Sequence, residues 1–499
     1  MNMKNSFKSI PGTSGYISDN GIELVLTKGD FNAVRKKCTV VNKGVMYQVR
    51  QAEKALARWE DQYALAVEDY GEDSEPAGRL QNLIEDRQKA VNELKAEVKK
   101  EYWADRDDGY LSLPAGFWWM CEDIRNNDHL NTTVPYSKIP NVNGKIPRPY
   151  QEEVCLELLR YKRASCVMPT GTGKSLMIAM MAWSLVESSK RVCIIEPTVE
   201  LVDQTAEFLR NYFDSLTAVG GGKRFKIGSM VCVTTIHSAL ENIDKFDAVL
   251  VDEFHHSAAD SYSNTLFMAI SAKHFYGFTA CPNRADGMSL GIHAACGPVV
   301  YEKDTRWAIE NKFLVKPKII VVEVTGLGTW RKDAPHVNVY KSALKNPKLS
   351  NVILNLIRQS LEKGRKTMTL FKTVKGGEEV KKAAKSKAFP WKLEVASSQY
   401  RHPLRLFRQG MSPLLVSNAA LCGEGVDIPD CDAVINCCQG SSENLVRQIL
   451  GRGLRISDGK KGMVYIDVVF TGYEPFMGAA DSRMKIYKTI VDDVQIMRM

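Results

Sequence analysis

The chain has 499 residues, of which 44% are apolar and 25% charged, and its formal net charge is +9. These are ordinary values for globular proteins, but the length exceeds one core and predicts about three domains at roughly 100–200 residues each. A mildly basic charge is compatible with a polyanionic partner and does not by itself indicate one.

The sequence lacks the features of membrane-spanning, secreted and cysteine-based metal-binding proteins. No apolar run approaches the ~18 residues that a membrane-spanning helix requires, and residues 1–16 have no apolar core of a signal peptide. The 12 cysteines include no C-x-x-C pair, so the ligand spacing of zinc ribbons and iron–sulfur clusters is missing. We therefore expect a reduced, cytoplasmic protein with no membrane partner.

The first 140 residues predict a small α+β domain. Residues 21–27 and 44–50 have the composition of strands, whereas the pattern from about 51 to 100 is helical with a break at 71–76. Apolar residues in the second half of that stretch fall close to a heptad stripe, which predicts an antiparallel helical hairpin. A solvated arm that braces the domain and a part that engages a partner explain the hairpin equally well.

Two series of short apolar runs follow, and each predicts the buried parallel strands of an α/β domain. The first series comprises residues 164–168, 192–196, 230–234, 248–251 and 276–279, and the second comprises 319–324, 367–371, 392–395, 414–417, 433–436 and 463–468. Helical stretches such as 349–363 separate the runs. We therefore predict two tandem α/β domains, 141–308 and 309–499, each a parallel sheet flanked by helices.

Residues 168–175 are the most informative stretch of the chain. They read Met-Pro-Thr-Gly-Thr-Gly-Lys-Ser and fit the phosphate-binding pattern G-x-x-x-x-G-K-[ST] apart from the missing first glycine. The stretch joins a predicted strand to a predicted helix, where backbone N–H groups and the helix N-terminus can wrap phosphates. The pattern assigns Lys174 to the β and γ phosphates and Ser175 to Mg²⁺. The remaining predicted nucleotide contacts of the loop are Thr170, Gly171, Thr172 and Gly173.

Two acidic residues and an upstream arginine–glutamine pair complete the predicted nucleotide site. Downstream of a phosphate loop, Asp252 is expected to hold Mg²⁺ with Ser175, and Glu253 to position and deprotonate the attacking water. Arg148 and Gln151 stand at the start of a predicted helix. A glutamine amide can donate and accept simultaneously, as reading adenine N6 and N7 requires. Alone, Gln151 is equally compatible with a plain helix-start residue.

Taken in order, these segments resemble the motifs of superfamily 2 helicases of the DExH type. The series runs through residues 148–151, 169–175, 197–198, 234–235, 252–255 and 279–282, and then through 371–372, 417–429 and 448–455. It covers residues 148–467, about two thirds of the chain, and one departure is Cys281, where the family usually has a small Thr or Ala. The resemblance implies two tandem RecA-like domains and an ATP hydrolase, with ATP and Mg²⁺ as cofactors, coupled to nucleic-acid unwinding.

The resemblance also implies an ATPase site divided between the two domains. It makes Arg452 and Arg455 arginine fingers for the γ phosphate, because a fixed guanidinium fork stabilises transferring phosphoryl charge. Gln448 would orient water or that phosphate, and Gly425 and Asp427 would line the nucleotide, with Asp427 near the ribose. The family's backbone contacts to nucleic acid correspond to Pro197, Thr198, Thr234, Thr235, Phe371, Lys372, Thr373, Ser417 and Asn418.

The overall layout is most similar to the phage helicases that act on branched DNA in recombination and fork remodelling, of the T4 type. It implies a DNA-recognition domain over residues 1–140, carrying the hairpin at about 51–100, in front of a monomeric motor that moves along branched, forked or duplex DNA. A phage-encoded protein of this kind would act in the host cytoplasm. Two alternatives remain open: an RNA helicase or RNA-stimulated ATPase, and the motor subunit of a restriction-type translocase complex.

Overall fold

In the part of the chain that it describes, the computed structural model contains two large parallel sheets and two small antiparallel ones. The residues it describes are 13–17, 23–41, 43–70, 74–96, 99–101, 104–106, 111–114, 134–220, 229–239, 243–254, 274–280, 294, 296–422, 431–457, 460 and 462–499. Both large sheets have seven strands and are flanked by helices, which confirms the predicted pair of RecA-like α/β domains. Within the described ranges, no helix is both long and apolar enough to cross a membrane.

The N-terminal region combines small antiparallel sheets with two long helices. Its elements are β1 (Ser14–Ile17), β2 (Glu23–Lys28), α1 (Phe31–Lys37), β3 (Thr39–Val41), α2 (Lys43–Tyr70), α3 (Glu75–Ala96), β4 (Lys99–Glu101), β5 (Ala104–Asp105) and β6 (Leu111–Pro114). The predicted strand at 44–50 is wrong, because this stretch is the first part of α2. Val49 and Leu56 are both buried and lie seven residues, or two helical turns, apart. The helical spacing of buried residues therefore already begins within residues 44–50.

Helices α2 and α3 pack against each other as the predicted antiparallel hairpin. Lys95 of α3 pairs with Glu53 of α2 at 2.9 Å, and farther along Tyr63 donates a hydrogen bond to Gln81 at 3.3 Å. Residues early in one helix thus meet residues late in the other. Val91, on the predicted heptad stripe, is 2% exposed, so apolar packing contributes to the contact between the helices.

The first large sheet has the strand order β13-β7-β12-β11-β8-β10-β9, and all its paired strands are parallel. Its elements are α4 (Pro149–Leu158), β7 (Arg163–Val167), α5 (Lys174–Glu187), β8 (Val192–Glu196), α6 (Val199–Leu209), β9 (Leu216–Val219), β10 (Val231–Thr235), α7 (Ile236–Ala239), β11 (Ala248–Asp252), β12 (His274–Thr279) and β13 (Val299–Glu302). The five predicted strands are confirmed as the central ones. The edge strands β9 and β13 were missed because each has only four residues and is partly buried, so neither contains a long buried apolar run.

The second large sheet has the order β16-β17-β15-β18-β19-β14-β20 and is also parallel. After the connecting helix α8 (Thr305–Glu310) come β14 (Pro317–Val324), α9 (His336–Leu344), α10 (Pro347–Glu362), β15 (Thr367–Phe371), α11 (Val374–Ser386), β16 (Val395–Ala396), α12 (His402–Arg408), β17 (Leu414–Asn418), α13 (Ala419–Cys422), β18 (Ala433–Cys437), α14 (Glu443–Gly453), β19 (Met463–Phe470), α15 (Glu474–Ile490) and β20 (Val494–Arg498). The predicted strand at 392–395 shrinks to the two residues of β16. Largely exposed β20 was not predicted.

The topology brings the predicted motifs of each sheet together at the carboxyl ends of its strands. All strands of a parallel sheet point the same way. The segments that follow β7 and β11 therefore leave the first sheet on the same side, with β12 between them. Open α/β sheets bind ligands at the carboxyl ends of their strands. The phosphate loop and the acidic pair therefore lie next to each other although they are far apart in sequence.

Candidate active site

A cavity of about 950 Å³ lies between the two α/β domains and takes its walls from both. The first domain contributes the predicted residues Arg148, Gln151, Thr170, Gly171, Gly173, Lys174, Ser175, Asp252 and Glu253, and the second contributes Gln448, Arg452 and Arg455. The fold thus assembles residues that are up to about 300 positions apart in the numbering around one space large enough for a drug-sized ligand.

The phosphate loop has the backbone shape that its glycines permit. Gly171 and Gly173 have φ angles of 89° and 83°, in the left-handed region that side chains disfavour. A Cβ at residue 173 would also stand 2.6 Å from Nε2 of Gln151. Thr172 is fully buried and its hydroxyl donates to the Pro169 carbonyl at 2.7 Å, so it braces the loop from inside instead of facing the cavity.

Glu253 is held at the centre of the polar cluster. Its Oε1 lies 3.5 Å from Nζ of Lys174, the first residue of α5, and its Oε2 accepts a hydrogen bond from Thr279 at 3.3 Å. Its backbone N–H donates to Asp252 Oδ1 at 2.8 Å, and its φ of 44° is rare for a residue other than glycine. Strained backbone of this kind concentrates at functional sites, where the surroundings hold it in place.

The acidic residues at the carboxyl ends of β8 and β11 have strongly raised pKa values. Burial raises the pKa of Asp252 to about 7, the charge of Glu253 adds to the shift, and Lys174 opposes it. Burial likewise raises the pKa of Glu196, the last residue of β8, well above its usual range, with a further contribution from Asp252. A divalent cation beside Asp252 would favour its ionised form.

In the adenine motif, Gln151 makes its hydrogen bonds within the protein. The Gln151 amide donates to the carbonyls of Thr172 at 3.1 Å and Gly173 at 3.3 Å, and its oxygen accepts from the Arg148 N–H at 2.9 Å. Gln151 therefore ties the phosphate loop to the start of α4. Tyr150, which the sequence analysis did not single out, donates to the Thr172 carbonyl at 2.6 Å. Its only sequence signal is its position between the arginine and the glutamine.

The second domain supplies its residues from helix α14 and the turn after it. Gln448 and Arg452 lie on the helix and are 9% and 8% exposed, while Arg455 lies two residues beyond the helix end. Arg408, at the end of α12, also lines the cavity. It belongs to no motif that the sequence analysis recognised, so only the three-dimensional structure reveals it.

The residues present fit a nucleoside triphosphate with Mg²⁺. Thr170 Oγ1 in the phosphate loop is buried and makes no hydrogen bond within the described part of the chain, so it is available for an incoming ligand. No cluster of three His, Cys, Asp or Glu side chains that could hold a metal occurs among those residues. Mg²⁺ does not need one, since it binds through one or two carboxylates together with substrate phosphates and water. Asp252 and the Ser175 hydroxyl provide that partial donor set.

The predicted nucleic-acid contacts lie at the carboxyl ends of two strands in each large sheet, β8 and β10 in the first and β15 and β17 in the second. Thr198 and Thr373 cap the helices α6 and α11 in equivalent ways, each accepting from an N–H three residues on. Pro197, Lys372 and Asn418 are at least partly accessible, as are these two threonines. The side chains of Thr234, Thr235, Phe371 and Ser417 are buried, so any contact there falls on the backbone.

Two protein-family models match the chain, one in each α/β domain. Residues 144–284 match the family described as "Type III restriction enzyme, res subunit", and residues 347–457 match the "Helicase conserved C-terminal domain". The chain is 26% identical over 226 residues to "DNA 3'-5' translocase XPB2" of Sulfurisphaera tokodaii, covering 44% of this chain and 50% of the relative. It is 21% identical to the "Probable helicase D10" of Escherichia phage T5, covering 69% of this chain and 76% of that one.

The chain belongs to the superfamily 2 helicases. A solved type ISP restriction-modification enzyme bound to DNA shares the fold with a TM-score of 0.51 at 16% identity, over 71% of this chain and 31% of that one. The chain spans about half the length of the first curated relatives it matches. The two matched family segments follow each other along the chain, the first in the first α/β domain and the second in the second.

Two predicted nucleotide contacts of this helicase lie outside the described residues. They are Gly425 and Asp427 of motif V. The same holds for Cys281, where the sequence departs from the family pattern. Their roles stay predictions.

Proposed function

We propose that this chain is an ATP-dependent DNA helicase or translocase that acts on branched or forked DNA, by unwinding strands and moving branch points. The observation that carries the proposal is the division of the cavity wall, with Lys174 and Glu253 on one domain and Arg452 on the other. A site assembled from two domains can convert nucleotide turnover into relative movement, because the ligand bridges parts that otherwise separate.

Each side chain of the cluster has a distinct task in hydrolysis. The Lys174 ammonium binds the β and γ phosphates, and Ser175 and Asp252 would hold Mg²⁺, which would supply positive charge to neutralise the phosphates. Glu253 accepts the proton of the attacking water, and its contacts with Lys174 and Thr279 fix the carboxylate for that purpose. Arg452 and Arg455 stabilise the charge on the transferring phosphoryl group, while Gln448 orients the water.

Hydrolysis is coupled to movement through the interface beside the nucleotide. The N–H of Val315 donates to the Leu454 carbonyl at the end of α14 at 2.9 Å, so the connecting segment is fastened to the second domain next to the arginines. Across the interface, Arg401 at the start of α12 pairs with Glu200 of α6 at 2.8 Å. Loss of the γ phosphate removes the ligand that joins the phosphate loop to the arginines, and the two domains then separate.

A nucleic-acid strand would run across both domains along the carboxyl ends of their strands. The capping threonines Thr198 and Thr373 lie at helix N-termini, where backbone N–H groups and the helix dipole favour phosphate. Exposed Lys372 adds a positive charge beside Thr373. Contacts of this kind fix the position of a strand without reading its sequence.

Two observations favour DNA and a branched substrate. A relative that matches the motor is named a DNA translocase, and another is a phage helicase. The helical hairpin formed by α2 and α3 is a long element outside the motor domains, of the kind that can separate strands at a branch point.

The substrate is tested by measuring ATP turnover with single-stranded DNA, duplex DNA, forked DNA, a four-way junction and RNA. We expect forked DNA or the junction to stimulate most, with Lys174→Ala inactive on every substrate. Stimulation by RNA alone would identify an RNA-dependent ATPase instead.

The branched-DNA part is tested by shortening the hairpin. Replacing residues 60–86 by a tight turn keeps the base of both helices, including the Lys95–Glu53 ion pair. We expect basal ATP turnover to persist and unwinding of forked DNA to fall. Unchanged unwinding would make the hairpin a bracing arm.

The family description of residues 144–284 favours a second candidate, the motor subunit of a restriction-type translocase complex. Such a subunit would move on duplex DNA without unwinding it alone. A strand-displacement assay with the isolated chain separates the candidates, because the helicase releases a labelled strand and the translocase subunit does not.

A further inference from the structure

Three aromatic rings meet beside the adenine-motif arginine. The Tyr150 ring lies 4.5 Å from that of Phe313 and 5.3 Å from that of Trp307, and the latter two are 5.4 Å apart, all measured between ring centres. Trp307 and Phe313 belong to the segment that connects β13 to β14, and thus the two large sheets. The connection between the domains therefore packs directly against the start of α4.

This cluster fixes the side chain of Arg148. The guanidinium carbon lies 5.4 Å from the centre of the Phe313 ring, and Nη1 donates to the Tyr150 hydroxyl at 3.2 Å. Arg148 also lines the nucleotide cavity. A long, flexible side chain is thereby held in one place at the cavity wall before any ligand arrives, which reduces the entropy lost on binding.

Gln151 is already engaged within the protein. Its amide nitrogen lies within hydrogen-bond distance of the carbonyls of Thr172 and Gly173, at 3.1 and 3.3 Å. Its oxygen accepts from the backbone N–H of Arg148. Adenine N7 requires a donor, so a base would compete with these two carbonyls for the amide N–H groups. The guanidinium of Arg148, which lines the same cavity, offers the base a second contact.

We propose that Phe313 is a positioning residue of the nucleotide site, which holds Arg148 as a flat surface on which a purine base stacks. The inference rests on the proposed function, since it takes ATP as the ligand. A guanidinium plane stacks well on an aromatic ring and on a base. Stacking accepts every base because each has a π face, so the surface favours adenine and guanine equally.

The test compares ligands that share phosphates and differ in the base. Binding of ADP, GDP and pyrophosphate is measured by calorimetry for the wild type, Phe313→Leu and Phe313→Tyr. In Phe313→Leu we expect ADP and GDP to weaken by a similar factor, on the order of tenfold for a partly desolvated contact. Pyrophosphate is expected to bind to Phe313→Leu as to the wild type, and Phe313→Tyr is expected to bind all three ligands like the wild type.

Phe389→Leu is a matched control. The guanidinium of Arg358 lies 5.7 Å from the Phe389 ring centre, and this pair belongs to the second domain, away from the cavity residues. The control is expected to bind all three ligands normally.

Each other outcome overturns the inference. An equal loss of pyrophosphate binding would give Phe313 a purely structural role, and unchanged ADP binding would show that the ring does not hold Arg148. A loss confined to ADP would indicate hydrogen-bond reading of adenine. Failure of the proposed function looks different, because wild-type protein would then bind no ADP or show no nucleic-acid-stimulated turnover.

Discussion

Thr170 of the phosphate loop lies directly against Gly451 of helix α14, so closely that a Cβ at residue 451 would stand 2.4 Å from the Cβ of Thr170. The neighbouring Gly171 is equally tightly enclosed, with Leu314, Arg455 and the Gly451 carbonyl within 3.0–3.3 Å of a Cβ placed there. The phosphate loop and the arginine-bearing helix thus touch through glycines. Bare backbone at this point lets the second domain approach the phosphates.

Gly451→Ala is expected to lower ATP turnover while leaving the fold intact. The added methyl group would meet the base of a branched side chain that cannot swing away, and such overpacking costs about 1–3 kcal/mol. If that cost falls on domain closure, turnover drops by roughly 5- to 140-fold at ~1.4 kcal/mol per factor of ten.

Stability gives an internal check on this variant. Alanine is the better helix former by about 0.5–1 kcal/mol, so the melting temperature should hold or rise. Gly478→Ala in helix α15 is the control, because nothing lies within 4 Å of a Cβ there. Equal turnover in both variants would contradict a closure role for Gly451.

Glu196→Gln is expected to stabilise the protein more at about pH 8 than at about pH 5. Glu196 is fully buried, accepts a hydrogen bond from Thr205 at 2.7 Å, and has a pKa raised by burial and by Asp252. Since its pKa is higher in the folded than in the unfolded state, stability is full below the unfolded pKa and is lost as the pH rises towards the folded one. The neutral amide keeps the acceptor oxygen and removes this loss.

Melting temperatures of Glu196→Gln and wild type, measured in EDTA across this pH range, check the prediction. Glu362→Gln, at an exposed position, is the control and should show no pH-dependent difference. A gain of the same size at every pH would mean that Glu196 ionises as freely in the folded protein as in the unfolded one.

Arg483→Met is expected to destabilise the second domain strongly. Arg483 and Asp467 are 0% and 1% exposed and form an ion pair of 2.8 Å that ties helix α15 to strand β19. Removing the guanidinium leaves a buried carboxylate uncompensated, which costs about 3–5 kcal/mol. Urea unfolding measures the loss of stability.

Arg498→Met is the control. It breaks an ion pair with Glu323 that is also 2.8 Å long but lies at the surface, and it should cost less than ~1 kcal/mol. Similar losses in both would contradict the burial argument.

The sequence predicted the parts of the site that belong to short motifs with a fixed residue spacing. Lys174 lies a few residues after β7 and Asp252 is the last residue of β11, and both strands are buried along most of their length, so each strand and the candidate residue near its carboxyl end were recognisable. The strand prediction at 44–50 failed because a short apolar run is ambiguous until the helix that continues it is considered.

The sequence did not predict which partners the side chains of the site contact. Nothing in the pattern around Gln151 indicates that its amide binds the phosphate loop, because its partners lie 21 and 22 positions away. Phe313 approaches Tyr150 across a still larger separation, and its segment has no motif. The run 192–196 predicted a buried strand, but nothing in it indicated that Glu196 at its end accepts a hydrogen bond from Thr205 of the following helix.

The division of the ATPase site between two domains is tested most directly by Arg452→Ala, with ATP binding and ATP turnover measured separately in the presence of forked DNA. We expect turnover to fall by on the order of 10³-fold or more, as for the loss of an arginine finger, while the affinity for ATP changes little. Arg447→Ala on the same helix, which only removes a pair with Glu443, should behave as the wild type. Normal turnover in Arg452→Ala would contradict the account, because the second domain would then contribute nothing to hydrolysis.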